Sequence, residues 1–353
     1  MQEPSLDRRP THRPEHLPVA MAQAPVARGP GISEVGAIDG AVAEGVVVAV
    51  IDVGSNSAHL LVARVGDEVV PLRDESILLG LGAAVDAGAI VPAAVADALV
   101  PALAAYASVA RSLGAREIVV LGTEPFRRAA DAARIVATVC EVVGVPMHVL
   151  GHDEEGLLTL IGATGGRALA ADVVIVDVGG GSSEIVVAGP GRRPVTLGLP
   201  IGSARASARH VEHDPPTPGE VEALRDEARS VLEAAPDVRP AEIVIVGGTA
   251  SNLVKVDPTG LVDGPITRER IDRILASLLT LSAEAVAERH AIRVPRARIL
   301  VAGAVIVEAI LDRYGLAAAR ATDSGIRDGA AIALARAGPA WRDALPRIAM
   351  GRR

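Results

Sequence analysis

Two stretches of the chain carry the same pattern of apolar and polar positions. Residues 46–57, VVVAVIDVGSNS, run from a β-branched apolar segment through Asp52 into a turn of Gly54, Ser55, Asn56 and Ser57. A short run of this kind, stopped by small polar residues, predicts a strand buried on both faces and ending in a tight turn. Apolar residues resume over 58–65. The pattern therefore predicts a hairpin whose tip offers backbone N–H groups and small side chains to an anion. Residues 172–187, DVVIVDVGGGSSEIVV, repeat it: a strand with Asp177, a turn of Gly179, Gly180, Gly181, Ser182 and Ser183, then a strand carrying Glu184. A third run, 242–251, ends a strand in Gly247, Gly248 and Thr249 without the aspartate. Repeats this far apart predict two similar halves facing each other, not a solenoid. The two turns would then grip one phosphate chain between them.

Between these landmarks, residues 71–90 read as a glycine-punctuated loop and 92–113 as a broadly apolar helix stopped by Gly114. A strand is predicted at 118–121, a helix from Pro125 to about 143, a strand at 146–150 and a helix opening at 151–155. Thr217, Pro218 and Glu220 have the spacing of a capping box and predict a helix running to about 235. A strand at 242–246, helices over 267–281 and 298–314, and a turn at 322–329 leading into a helix near 330–337 complete the pattern. Strands alternating with helices predict an α/β protein.

With 353 residues, half of them hydrophobic, the chain can bury two cores. Only Tyr106, Phe126, Tyr314 and Trp341 are aromatic, and the net charge is −8. Base-stacking platforms and a basic excess are both missing, which argues against nucleic-acid binding. Lys255 is the only lysine and does not follow a glycine, so a Walker-A loop is excluded. Cys140 is the only cysteine; it can form neither an internal disulfide nor a cysteine zinc site, and is expected to be a buried small hydrophobe. No apolar stretch approaches a membrane span, and residues 1–45 are proline-rich without apolar period, predicting a disordered tail. A cytoplasmic location is expected.

Asp52 and Asp177 each lie near the end of an apolar strand and before a glycine turn. Each could hold a magnesium ion beside phosphates or only cap its turn; two matching settings favour the metal. Arg127, in the first turn of the helix expected after Pro125, opposes the helix dipole, a cost that a bound phosphate would offset. Arg128 beside it reads as a solvated charge. His152, Asp153, Glu154 and Glu155 suit a helix start electrostatically, and one of the carboxylates could instead take a proton from an attacking water. Glu184 is either an exposed strand residue or a further carboxylate near the metal. The histidines read as solvated.

Together, VIDVGSNSAHLLV, GTEPFRR, GHDEEG, VIVDVGGGSSEI, LPIGSAR, VGGTAS, ILVAGAVIVEAIL and SGIRDG resemble the exopolyphosphatase and guanosine pentaphosphate phosphatase family. The resemblance implies a duplicated ribonuclease H-like, actin-like ATPase fold with an interdomain cleft. Its halves would span 46–170 and 171–338, with the last helix able to pack back on the first half and 339–353 as a C-terminal tail. It implies Glu155 as catalytic base, with Glu154 the fallback, and Arg127 on the terminal phosphate. Asp177 and Glu184 would surround Mg2+ (or Mn2+), joined by Asp52 on the strength of its matching turn, and 54–57 and 179–183 would bind phosphate. The implied substrate is inorganic polyphosphate or guanosine pentaphosphate. A non-catalytic polyphosphate or alarmone sensor and a kinase or chaperone-like ATPase are the alternatives, and a homodimer is left open. The chain departs from the family at Leu157, where the family carries arginine, a loss that would weaken long-chain binding or alter substrate preference.

Overall fold

The computed structural model describes residues 45–257, 259 and 264–352, together with strand β1 at Val26–Ala27. Apart from that strand and Gly45, the tail expected at 1–45 lies outside the described residues.

The first half continues with β2 (Val46–Val53), β3 (Ser57–Val65), β4 (Val69–Leu78), α1 (Leu81–Gly88), α2 (Ala93–Ser112), β5 (Glu117–Gly122), α3 (Glu124–Arg128), α4 (Ala132–Val143), β6 (Met147–Val149) and α5 (His152–Thr164). The second half follows with β7 (Val173–Val178), β8 (Ser183–Ala188), β9 (Val195–Leu199), α6 (Ser203–His210), α7 (Pro218–Leu232), β10 (Glu242–Val246) and α8 (Gly247–Lys255). It continues through β11 (Ile266–Thr267), α9 (Arg268–Leu278), α10 (Ala283–His290), α11 (Val294–Ala297), α12 (Leu300–Tyr314) and β12 (Ala318–Thr322) to α13 (Ile326–Ala337) and α14 (Trp341–Ala349).

The sheets are ordered β1-β4-β3-β2-β5-β6 and β11-β12-β10-β7-β8-β9. In each, a three-strand antiparallel meander (β2-β3-β4, β7-β8-β9) is followed by two strands parallel to its first (β5 and β6, β10 and β12). The duplication read from the turns is therefore a duplication of the whole sheet.

β2 and β7 are buried on both faces, as their unbroken apolar runs require. Val48 and Val50 of β2 and Val173 and Ile175 of β7 face a layer shared by both halves, filled by α5, α13 and α14. The alternate residues Ala49, Ile51 and Val53 face α2 and α4, and Val174, Val176 and Val178 face α7, α9 and α12. Helices α5 and α13 cross at glycines: a Cβ on Gly162 would collide with the Gly325 carbonyl, and one on Gly329 with that of Leu158. Only glycine permits so close an approach of two backbones.

Several expectations need correction. The loop expected at 71–90 is strand β4 and helix α1. Much of the first part of β4 faces solvent, so it lacks an apolar period, and Pro71 is tolerated because the register shifts at Val62/Ala63 opposite it. The single helix expected over 125–143 is broken between α3 and α4. Ala129 is extended, Ala130 N–H donates to Ala89 O (2.8 Å) and Val91 N–H to Asp131 Oδ1 (2.8 Å), so contacts with a distant loop override helix continuation. Arg127 thus stands in the last turn of a short helix, where a cation is favourable. Cys140 is exposed. Helix α2 is, by length and composition, able to cross a membrane, contrary to expectation. Its Leu99, Leu103, Tyr106 and Ala107 pack into the core beneath the first sheet, as in a globular protein. The segment read as a C-terminal tail contains α14, whose Trp341, 3% exposed, belongs to the shared layer, and α13 lies against β2 and β3.

Candidate active site

Both hairpin turns open onto one cavity of about 180 Å3 between the halves. Gly54, Ser55, Asn56 and Ser57 of the first turn and Gly179, Gly180, Gly181 and Ser182 of the second line it, together with Asp52, Asp177, Glu155 and Glu184. The turns are built alike: Gly54 N–H donates to Ser57 O and Gly179 N–H to Ser182 O, each at 3.0 Å. Thr123 Oγ1 donates to Val53 O (3.3 Å) and Thr249 Oγ1 to Val178 O (2.6 Å), tying each turn to the strand beside it. Ser183 is the exception among the expected turn residues. It is fully buried, donates to Ile201 O at 2.7 Å, and does not line the cavity.

Asp52 pairs across the ladder with His59, and Asp177 with Glu184. The Asp52 carboxyl is pushed up to about 6 by burial, which the charge of Arg327 opposes, and its Oδ1 has no hydrogen-bond partner among the described residues. Asp177 is pushed up to about 8 by burial, then by the charges of Glu184 and Asp52. Gly247, at φ +81°, must be glycine both for its backbone and because a Cβ would lie 2.6 Å from Asp177 Oδ1.

Beside this pair, Arg127 organises the second group of acids. Its Nη1 donates to Leu150 O (3.0 Å) and to Glu155 Oε2, while Nη2 lies 3.5 Å from both Ser182 Oγ and Glu184 Oε1. Burial and the charge of Glu184 hold the Glu155 carboxyl well above its ordinary range, against the pull of Arg127. His152 Nδ1 is 3.0 Å from Glu184 Oε1 and 3.2 Å from Arg127 Nη2, and His152, Glu155 and Glu184 are close enough to share a metal ion. The expectation that all histidines are solvated fails at His59, which is half-buried and pairs with Ser57 Oγ at 2.7 Å, whereas His152 is exposed despite its contacts.

Glu154 points away from the cavity, accepting from Gly151 N–H (3.0 Å) and from Arg342 of α14. Of the two candidate bases, only Glu155 faces the cleft. Leu157 packs on the shared apolar layer and does not line the cavity. Arg128 is no solvated charge: it pairs with Glu124 and Asp86.

Several cavity residues have no role assigned from sequence, among them Glu124, Arg296, Asp323, Arg327 and Asp328; Glu124 and Arg327 fall in the GTEPFRR and SGIRDG segments, Arg296 in none. Arg296 Nη2 lies 3.5 Å from Ser57 Oγ and makes no salt bridge among the described residues. Burial, then the charge of Arg293, depresses its guanidinium. A lone arginine follows from no local pattern, since the fold delivers it from α11 of the opposite half. The cleft thus combines two backbone anion cradles, the cations Arg296 and Arg327, and a group of acids of which Glu124, Glu155 and Glu184 are buried. Such a set can hold a phosphate ester or anhydride with a hard divalent cation.

Known proteins resemble this chain over most of its length. The model of the Ppx/GppA phosphatase family matches residues 61–336. An uncharacterized protein of Streptomyces coelicolor is 32% identical over 310 residues, covering 83% of this chain and 91% of that protein. Exopolyphosphatase 1 of Mycobacterium tuberculosis is 28% identical over 300 residues, covering 79% of this chain and 86% of that one. The crystal structure of an exopolyphosphatase-like protein superposes with a TM-score of 0.74 at 26% identity, covering 83% of this chain and 98% of the other.

Proposed function

Because the chain belongs to the Ppx/GppA phosphatase family, we propose that this hydrolase is an exopolyphosphatase that removes the terminal phosphate of inorganic polyphosphate with the help of Mg2+ or Mn2+, in the cytoplasm. The observation that carries this reading is the convergence, on one cavity, of both glycine turns and the buried Glu155, which accepts from Arg127 behind it.

Asp52 and Asp177 would hold the cation, with Glu184 beside them. The orphaned Asp52 Oδ1 and the crowding of carboxylates around Asp177 fit an all-oxygen site for a hard divalent ion. When bound, the ion neutralises phosphoryl oxygens and supports in-line displacement. The two turns would cradle the phosphate chain through backbone N–H groups. Arg127 would hold the terminal phosphoryl group, and Arg296 would supply a second guanidinium. Glu155 would orient the attacking water and accept its proton. The new P–O bond forms to that water oxygen, the bridging P–O bond breaks, and orthophosphate leaves with a chain one unit shorter.

A side-by-side phosphate-release assay on polyphosphate and guanosine pentaphosphate, with and without Mg2+ and Mn2+, tests the proposal. Faster release from polyphosphate is the expected result. Release from guanosine pentaphosphate alone would transfer the activity to the alarmone, and binding without release under any metal would make the protein a sensor.

A further inference from the structure

Glu124 lies between the two turns, yet the hydrolytic arrangement above gives it no task. It is 5% exposed and lines the cavity. Its Oε2 accepts from Ser55 Oγ of the first turn at 3.2 Å, and a Cβ on Gly181 of the second turn would sit 2.5 Å from the same oxygen. Its Oε1 accepts from Arg128 Nη1 at 2.9 Å and from Arg205 Nη2 of α6. One hydroxyl and two guanidiniums converging on an anion against a glycine tip is the donor set by which proteins hold a phosphoryl group.

Resting on the reading of the cleft as a phosphate-chain site, we propose that this corner, made by Ser55, Gly181, Arg128 and Arg205, is an anion subsite that the protein fills with its own Glu124 carboxylate. Glu124 is then a specificity determinant: it denies the corner to a phosphoryl group and leaves Arg296, beside Ser57, as the open cation for the chain.

The charges support this. Arg128 and Arg205 are otherwise paired with Asp86, which is half exposed, so two cations face two anions and the corner is neutral. Removing Glu124 leaves one net positive charge in partly buried space together with a freed serine hydroxyl. Burial disfavours the Glu124 anion, but the hydrogen bonds from Arg205 and Arg128 outweigh it and hold the carboxyl below its ordinary range, so the corner is occupied by an anion at neutral pH. Arg296 has no acid on it among the described residues.

The test is calorimetric titration of tripolyphosphate into the full chain held in EDTA. Glu124→Ala should bind about tenfold more tightly than wild type, or about 1.4 kcal/mol. Glu124→Gln, which keeps the shape and loses the charge, should fall between them. Adding Arg205→Ala to Glu124→Ala should erase the gain, an effect that a merely structural role for Glu124 would not produce. Unchanged or weaker binding by a folded Glu124→Ala overturns the proposal; if that variant does not fold, failure of Glu124→Gln to tighten overturns it. Tighter binding by a protein that releases no phosphate from polyphosphate would preserve the subsite and sink the exopolyphosphatase reading. Release without tightening would do the reverse.

Discussion

Asp52 and Asp177 occupy the same position in the two halves and meet across one cleft, where the charge of Asp52 adds to burial and Glu184 in lifting the Asp177 carboxyl to about 8. A carboxyl whose folded value is raised favours folding while protonated. That contribution is complete below the ordinary 3.8 and is lost as pH rises through about 6 for Asp52 and about 8 for Asp177. In EDTA the melting temperature should therefore fall between pH 4 and 9. Asp177→Asn should flatten the decline, and Mg2+ should raise the melting temperature at pH 8 in wild type but much less in the variant. A flat wild-type profile would show that these acids are not destabilised as described.

Glu155→Gln should lower phosphate release by about 10²–10⁴-fold, the range expected for loss of a general base. Because the substitution removes a carboxyl that burial and Glu184 disfavour, its melting temperature should not drop. Near-wild-type turnover in this variant would refute the assignment.

Arg127 places its two terminal nitrogens on different partners, a geometry that an ammonium cannot copy. Arg127→Lys should thus recover little of the activity lost in Arg127→Ala, both falling by roughly 10²–10³-fold in kcat/KM. Steady-state kinetics of the two variants side by side measures this. Substantial rescue by lysine would reduce the role of Arg127 to that of a point charge.

Gly202 supports the second turn from behind. A Cβ there would sit 2.6 Å from the Gly180 carbonyl carbon and oxygen and 2.7 Å from the Gly181 carbonyl carbon, and backbone cannot swing aside as a side chain can. Gly202→Ala should displace the turn and cost about 10²-fold in kcat/KM, the penalty of a misplacement near 1 Å. Circular dichroism should show the fold retained.

Trp341 sits in the apolar layer shared by the halves, with its ring edge-on to His148 at 5.7 Å. Trp341→Ala should destabilise by about 3–5 kcal/mol, as for other buried aromatics, measured by urea unfolding. A loss below about 1 kcal/mol would mean that α14 is peripheral.

The parts of this molecule legible in its sequence are those that chain periodicity encodes. Buried strands such as β2 and β7 show as apolar runs, and their turns as glycine and serine clusters, so the duplicated hairpins and the positions of Asp52 and Asp177 could be read directly. What a residue meets across the cleft was not legible. Arg296 and Arg205 reach the first half from α11 and α6, and no local pattern distinguishes them from the other arginines of the chain. The break after α3 escaped for a similar reason: Ala129 and Asp131 look helical until the loop at Ala89 and Val91 supplies other hydrogen-bond partners. Ser183 was not legible as a buried residue because alternation along β8 turns it inward between Ser182 and Glu184, both of which line the cavity.

The glycine crossing of α5 and α13 bears on how the molecule is made. Because α13 covers one face of β2 and β3, a nascent chain emerging from the ribosome cannot complete its first lobe until residues 326–337, far along the chain, have also emerged. The first sheet must wait, partly bare, until those residues have been made.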